Sequence, residues 1–214
     1  MSFKLQTQNR RQRSGPKRPR PVTADRLERI ALFYLGRYAS SAENLRRVLT
    51  RRLRRAELAP DDPAYRTAQG WIEALIERLK ANGLLDDRAY AEAQTASLHR
   101  RGIARRRIGQ RLGARGVARD EVASALSSLD ESHGGDSADA TDQRAALAFA
   151  RRKRLGPFRA AAERKARRNR DLAALACAGF AYHLARRVID APDADELEAE
   201  IMGTERGADM PPRR

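Results

Sequence analysis

The chain has 214 residues, a formal net charge of +16 and 41% hydrophobic residues. That is enough length and apolar content for a buried core. Arg and Ala dominate while Val, Ile, Phe and Trp are scarce, which disfavours β-sheet and predicts an all-α fold. The charge bears on partners rather than on fold, because such a surface attracts polyphosphate and acidic protein at long range.

Residues 1–22 hold seven Lys or Arg, three Pro and no acid, a composition that predicts a disordered basic tail. Leu27, Ile30, Ala31, Tyr34 and Leu35 then recur at helical spacing, as do Leu45, Val48, Leu49 and Leu53, and after them Trp71, Ile72, Leu75, Ile76 and Leu79. These three helices define a first module over 23–84. Between its second and third helices "LAPDDPAYRTAQG" reads as a long connection, an insertion over 57–69. A second module over 85–129 has helices at Asp86 to about Arg101, about Ala104 to Arg115, and about Arg119 to Leu129. "DESHGGDSADATD" (130–142) has five acids, two Gly and no Lys or Arg, so it reads as a flexible acidic linker. A third module over 143–190 runs from about Gln143 to Leu155, through a middle helix ending near Ala178, to Ala181–Ile189. The remainder, 191–214, reads as a small acidic helix over Ala194–Met202 and a frayed tail from Gly203.

The stretch "NGLLDDRAYAEA" (82–93) packs a helix stop and a helix start into a few residues. With Gly83 left-handed just past a helix, Leu84 folds back onto Leu79 as in a Schellman stop. Asp86 then caps the next helix, and Leu85 with Tyr90 forms a hydrophobic staple. "LGARGV" repeats the stop with Val117 against Leu112 around Gly116, and "LACAGF" with Phe180 against Leu175 around Gly179. Three-helix units of this size bury little surface alone and gain stability by stacking. The expected architecture is an elongated tandem array of three three-helix modules.

Two basic runs stand out. "ASLHRRGIARRRIGQRLGARGVAR" (96–119) has eight Arg and no acid. On a helix, Arg107, Arg111 and Arg115 align, with Arg100 and Arg101 just before them, Arg105 and Arg106 at the helix start, and Ile108 and Leu112 on the buried side. Basic helices ordinarily interleave Glu as i+4 partners; here the repulsion stays uncompensated unless an anionic surface faces it. The second run, Arg151, Arg152, Lys153, Arg154, Arg159, Arg164, Lys165, Arg167, Arg168 and Arg170, is relieved only by Glu163. Aromatic residues are too sparse for base stacking to dominate a nucleic-acid contact.

Other features point away from chemistry. Cys177, the single cysteine, cannot form an intramolecular disulfide and reads as a small buried hydrophobe in a reducing compartment. The longest uncharged apolar stretch, Leu172–Ala185, has 14 residues, too few to span a bilayer. No secretory signal follows Met1, and a soluble cytoplasmic protein is expected. His99, His133 and His183 lack ligand neighbours at metal-binding spacing. Phosphate-binding loops, a dinucleotide fingerprint and a nucleophile elbow are absent from the sequence, so neither metal nor cofactor is expected. Asp86 and Asp87 read as capping residues rather than paired catalytic carboxylates. Gly109 and Gly113 read as sites of close helix approach.

"NGLLDDRAYAEA", followed by "RRGIARRRIGQRLGARGV" and "DEVASAL", resembles the RecX family of RecA regulators, most strongly over 75–126 and more loosely over 26–190. The resemblance implies a curved array of three three-helix repeats that lies in the groove of RecA filaments on DNA. It further implies inhibition of RecA's ATPase, strand exchange and coprotease activities by hindering filament growth, with no catalysis of its own. The expected partners are the RecA filament and the phosphates of single- and double-stranded DNA, met by a monomer. This chain departs from the family pattern in its first-module insertion, its acidic linker and its basic tail. A second reading stays open: "RIGQRLGARGVARDEVASAL" resembles a helix-turn-helix, which suits a DNA-binding protein that acts without RecA. Its second helix offers poor base-reading groups.

Overall fold

The computed structural model describes residues 21–56, 58–132 and 137–203. Among these residues all regular structure is helical, and the apolar side chains collect into three cores. Helices α1 (Ala24–Leu35), α2 (Ala42–Arg55) and α3 (Pro63–Ala81) enclose Leu27, Leu45, Leu49, Leu53, Ile72 and Ile76. Helices α4 (Asp87–Arg100), α5 (Arg105–Ala114) and α6 (Arg119–Ser132) enclose Leu98, Ile108, Leu112 and Ala125. Helices α7 (Ala138–Lys153), α8 (Ala161–Ala178) and α9 (Tyr182–Ile189) enclose Leu147, Leu175, Leu184 and Val188. Each fully buried Leu or Ile contributes about 1.5–3 kcal/mol. A tenth helix, α10 (Ala194–Gly203), adds Leu197 and Ile201 to the third core. The chain is thus an all-α tandem array of three-helix units. The basic tail over 1–20 and the frayed tail over 204–214 lie outside the described residues.

Local chemistry moves two of the expected boundaries. The Pro-containing connection is shorter than expected because Asp62 accepts a hydrogen bond from Ala64 N at 2.7 Å and Pro63 fills the first helical position. Proline suits that position, where its missing N–H costs nothing. Tyr65 and Ala68, expected inside the insertion, are buried in the first core. The acidic segment 130–142 is largely helical: α6 extends to Ser132, Ser137 caps α7, and only 133–136 lie outside the described residues. Two of its acids are fixed in the framework, Asp130 by the Arg105 guanidinium and Asp142 by the Arg105 backbone N–H.

The Schellman stops form as expected at Gly83, Gly116 and Gly179, with φ of 69°, 79° and 102°. In each, the residue after the glycine donates back to a leucine carbonyl: Leu84 to Leu79, Val117 to Leu112, Phe180 to Leu175. A further stop has the same spelling, Leu98-x-x-x-Gly102-Ile103, with Ile103 N donating to Leu98 O. Arg154 makes another without glycine: it sits at φ 54°, and Leu155 N donates to Ala150 O. Two expected contacts are corrected. Leu84 remains 55% exposed, and Leu85 instead joins Leu79 in the first core. Tyr90 belongs to the second core, so Leu85 and Tyr90 serve different units rather than one staple. Gly113 has open space where a Cβ would be, and Gly109 only an ordinary contact with Val122, so neither marks a close helix approach. Cys177, expected buried, is exposed on the outer side of α8.

The middle helices of the units stack head to tail. At the end of α5, Arg47 donates to Ala114 O at 2.8 Å and the Ser41 hydroxyl donates to Arg115 O. A Cβ on Gly116 would collide with the Glu43 side chain. At the end of α8, a Cβ on Gly179 would lie 3.3 Å or less from Ala104 and Arg107. The negative end of each helix dipole therefore faces the positive end of the preceding middle helix. A carboxylate of the following unit completes each joint: Asp87 accepts from Ala42 N at 2.7 Å, and Asp142 accepts from Arg105 N at 2.8 Å. The second and third units also meet where Gly102 lies against the backbone of Phe149 and His99 Nε2 donates to Thr141 O at 2.9 Å.

Glycine substitutions separate backbone conformation from this close approach. Gly83→Ala, with open space around it, should cost about 1 kcal/mol from the left-handed backbone alone. Gly102→Ala would place Cβ 2.6 Å from Phe149 N and should cost about 3 kcal/mol, conformational strain and overpacking together. Arg154→Gly should stabilise by about 0.5 kcal/mol. Urea unfolding checks all three.

Candidate functional site

The sixteen-residue span from Arg100 to Arg115 holds most of the first basic run, and the fold divides its arginines into two kinds. Arg105 turns inward: its guanidinium donates to Asp130 at 2.6 Å and its backbone N–H to Asp142. Burial pushes the Asp142 carboxyl up, against the opposing effect of that N–H. Arg115 ends α5 and donates to the Tyr90 hydroxyl at 2.6 Å. Arg106, Arg107 and Arg111 are exposed on α5, with Arg100 and Arg101 exposed at the end of α4. Among the described residues no carboxylate pairs with the guanidinium groups of these five. Ile108 and Leu112 hold the opposite face of α5 in the core, so the outward direction of Arg107 and Arg111 follows from the helical period. Of the arginines expected along the ridge, Arg105 and Arg115 are tied to neighbours, and Arg100, Arg101, Arg106, Arg107 and Arg111 are exposed.

The second run divides in the same way. Arg164 donates to three backbone carbonyls, those of Arg159, Pro157 and Pro192. It fastens the turn before α8 to the segment after α9. Arg168 makes a bidentate pair with Asp190, both contacts at 2.6 Å. Arg152 donates to Arg101 O across the seam and lies over the Phe149 ring, 5.7 Å from its centroid. Arg151 faces Glu198 of α10 at 3.4 Å. Lys153, Arg154, Lys165, Arg167 and Arg170 are exposed, and among the described residues none of them has a carboxylate partner.

Other exposed residues were not singled out by the sequence reading. Leu32, Phe33 and Tyr38 are 43%, 64% and 57% exposed, and Arg37 lies 4.5 Å over the Phe33 ring. Their signal was that Leu32 and Phe33 fall off the apolar stripe of α1. Ser41 and Arg47 were also missed, since their partners are far along the chain. Asp86 caps α4 through Ala89 N at 2.8 Å, whereas Asp87 caps α2 of the preceding unit. The junction acids are thus structural in two different places. At the start of α6, burial first, then the charges of Asp87 and Asp120, push the Glu121 carboxyl up.

These assignments can be tested by stability. Arg105→Ala leaves Asp130 without its cation and should cost about 2 kcal/mol, whereas Arg107→Ala and Arg111→Ala should each stay within about 0.5 kcal/mol of the parent. The Arg168 hydrogen bond holds the Asp190 carboxyl below the usual range. The pair therefore stabilises the fold above the ordinary aspartate pKa of about 3.9 and loses that contribution as pH falls through the lower folded value. Asp190→Asn should show a shallower loss of stability on acidification, read from unfolding midpoints across the acid range.

Comparison with known proteins places this geometry in a family. The family model "RecX, second three-helix domain" matches residues 86–126, which cover α4, α5 and most of α6 and include the exposed arginines of α5. The chain is similar to Regulatory protein RecX of Myxococcus xanthus, 42% identical over 187 residues, spanning 87% of this chain and 96% of the relative. It is also similar to Regulatory protein RecX of Thermobifida fusca, 32% identical over 189 residues, covering 88% and 89%. A match to Regulatory protein RecX of Agrobacterium fabrum is 32% identical over 105 residues, covering 49% and 51%. No solved structure matches the chain. With the second unit matched by its own family model and full-length relatives aligned across all three units, the chain belongs to the RecX family of regulatory proteins.

Proposed function

We propose that this protein inhibits the RecA recombinase by lying in the groove of RecA nucleoprotein filaments, where it limits filament growth, ATP hydrolysis and strand exchange. The observation that carries the reading is the set of outward arginines Arg106, Arg107 and Arg111, with Arg100 and Arg101 beside them, on a rigid helix and without carboxylate partners among the described residues. An unneutralised cationic ridge is stabilised by an anionic surface. A filament supplies two, acidic protein and DNA phosphate. The protein acts as a monomer in the cytoplasm, by occupancy and without bond-making. Among the described residues no helix is long and apolar enough to cross a membrane.

The RecA-independent DNA-binding reading has less to support it. In a helix-turn-helix, α6 would be the base-reading helix. It opens with Asp120 and Glu121, whose charges oppose phosphate and whose neighbours provide few donors for base edges.

Added to RecA-coated single-stranded DNA, the protein should slow ATP hydrolysis at substoichiometric ratios. Arg107→Glu combined with Arg111→Glu should weaken inhibition at least tenfold with helicity unchanged, a loss of about 1.4 kcal/mol or more. Binding to naked DNA should fall with salt by about 0.7–0.9 log units per log unit for each phosphate contact. Full inhibition by the double variant would remove the ridge from the mechanism.

A further inference from the structure

Between α7 and α8 lies a hollow of about 460 Å³ whose floor is apolar and whose rim is cationic. Phe149, Leu155 and Ala174 form the floor; Lys153, Arg167 and Arg170 stand at the rim. All three rim side chains are exposed and have no carboxylate partner among the described residues. The one acid in the lining, Asp171, is only 1% exposed and already committed. Its Oδ2 accepts from Gly156 N at 3.0 Å, and its Oδ1 accepts from Arg159 at 3.0 Å. The acid is therefore a structural strut beneath the hollow, and it leaves the rim's positive charge uncompensated.

We infer that this hollow receives an apolar side chain carried on an acidic protein segment, the floor burying the side chain and Lys153, Arg167 and Arg170 pairing with the flanking carboxylates. A nucleobase fits the site less well. Base recognition uses hydrogen-bonding edges, and the floor's one carboxylate is already bonded. Stacking needs a presented ring face, but Arg152 lies over the Phe149 ring and Phe180 meets that ring at 62° with centroids 6.2 Å apart. An aliphatic or aromatic side chain needs neither. The inference rests on the regulator reading for the partner's biological setting: α5 faces the assembly's anionic surface while the third unit grips a protein segment. Because Phe149 also packs against Gly102 at the seam between the second and third units, an occupant of the hollow bears on the joint that orients the two.

The test uses the full chain and two fluorescein-labelled peptides, Glu-Asp-Glu-Leu-Asp-Glu-Asp and the same peptide with Gly for Leu, followed by anisotropy at physiological salt. The Leu peptide should bind about tenfold more tightly than the Gly peptide, as burial of one Leu side chain requires. Combined Lys153→Glu, Arg167→Glu and Arg170→Glu should reduce binding of the Leu peptide more than tenfold with unchanged helicity. Combined Arg106→Glu, Arg107→Glu and Arg111→Glu should leave it within threefold. A second variant, Ala174→Leu, fills the floor without changing charge and should selectively weaken the Leu peptide. Equal affinity for the two peptides overturns the proposal, as does equal sensitivity to the α5 and rim reversals. Displacement of the Leu peptide by oligothymidylate of matched charge at lower concentration overturns it too, in favour of nucleic acid. No RecA is present in this experiment, so its failure leaves the filament reading standing. Peptide binding by a protein that leaves RecA's ATP hydrolysis untouched would refute only the filament reading.

Discussion

The array depends on one recurring joint, in which the first N–H of the middle helix of the first and second units is satisfied by an aspartate from the following unit. Ala42 N and Arg105 N occupy equivalent places, and Asp87 and Asp142 meet them with nearly identical bonds, 2.7 and 2.8 Å. A helix start leaves orphan donors that must find partners when packed, and Ala104 at the start of α5 has no side-chain acceptor of its own. The joint therefore satisfies a buried need that the unit cannot meet internally. It also aligns the middle helices, so that the carbonyl end of one closes on the amide end of another. From that alignment follows the close approach at Gly116 and Gly179.

The surface charge is organised around the same joints. Arg105, Arg152 and Arg164 spend their guanidinium groups on fixing turns and seams, while Arg106, Arg107 and Arg111 remain directed outward from a helix whose opposite face is locked by Ile108 and Leu112. A charged ridge on a rigid support presents its groups with little conformational loss on binding. Of the acids near the start of α5, Asp130 and Asp142 are engaged by Arg105.

The helical periods and glycine stops could be read directly from the sequence because both are local. Leu-x-x-x-Gly-apolar also spells the stop at Gly102, set among neighbouring arginines, whereas Arg154 occupies the same backbone position without the glycine that would announce it. Composition misled at 130–142: its acids looked like a solvated spacer, yet Asp130 and Asp142 answer Arg105 from 25 and 37 positions away. The basic runs failed to divide for the same reason. Arg168 and Asp190 are 22 positions apart, and nothing in either local stretch distinguishes a tied arginine from a free one. Cys177 lies in an apolar run but turns outward between Leu175 and Ala178, a matter of phase that hydropathy alone does not resolve.

The direction of these joints gives the array a polarity. Each later unit supplies a carboxylate to the one before it, while Arg47 and Ser41 of the first unit return donors to the carbonyls at the end of α5. Loss of material from the carboxyl-terminal side strips a carboxylate cap from what remains, whereas loss of the first unit frees Asp87 and takes from the Ala114 and Arg115 carbonyls the donors of Arg47 and Ser41. The third unit has no successor among the described residues, and α10 reinforces it by a different route, adding Leu197 and Ile201 to its core. A force or ligand acting on that unit reaches the arginines of α5 through Asp142 before it reaches anything in the first unit.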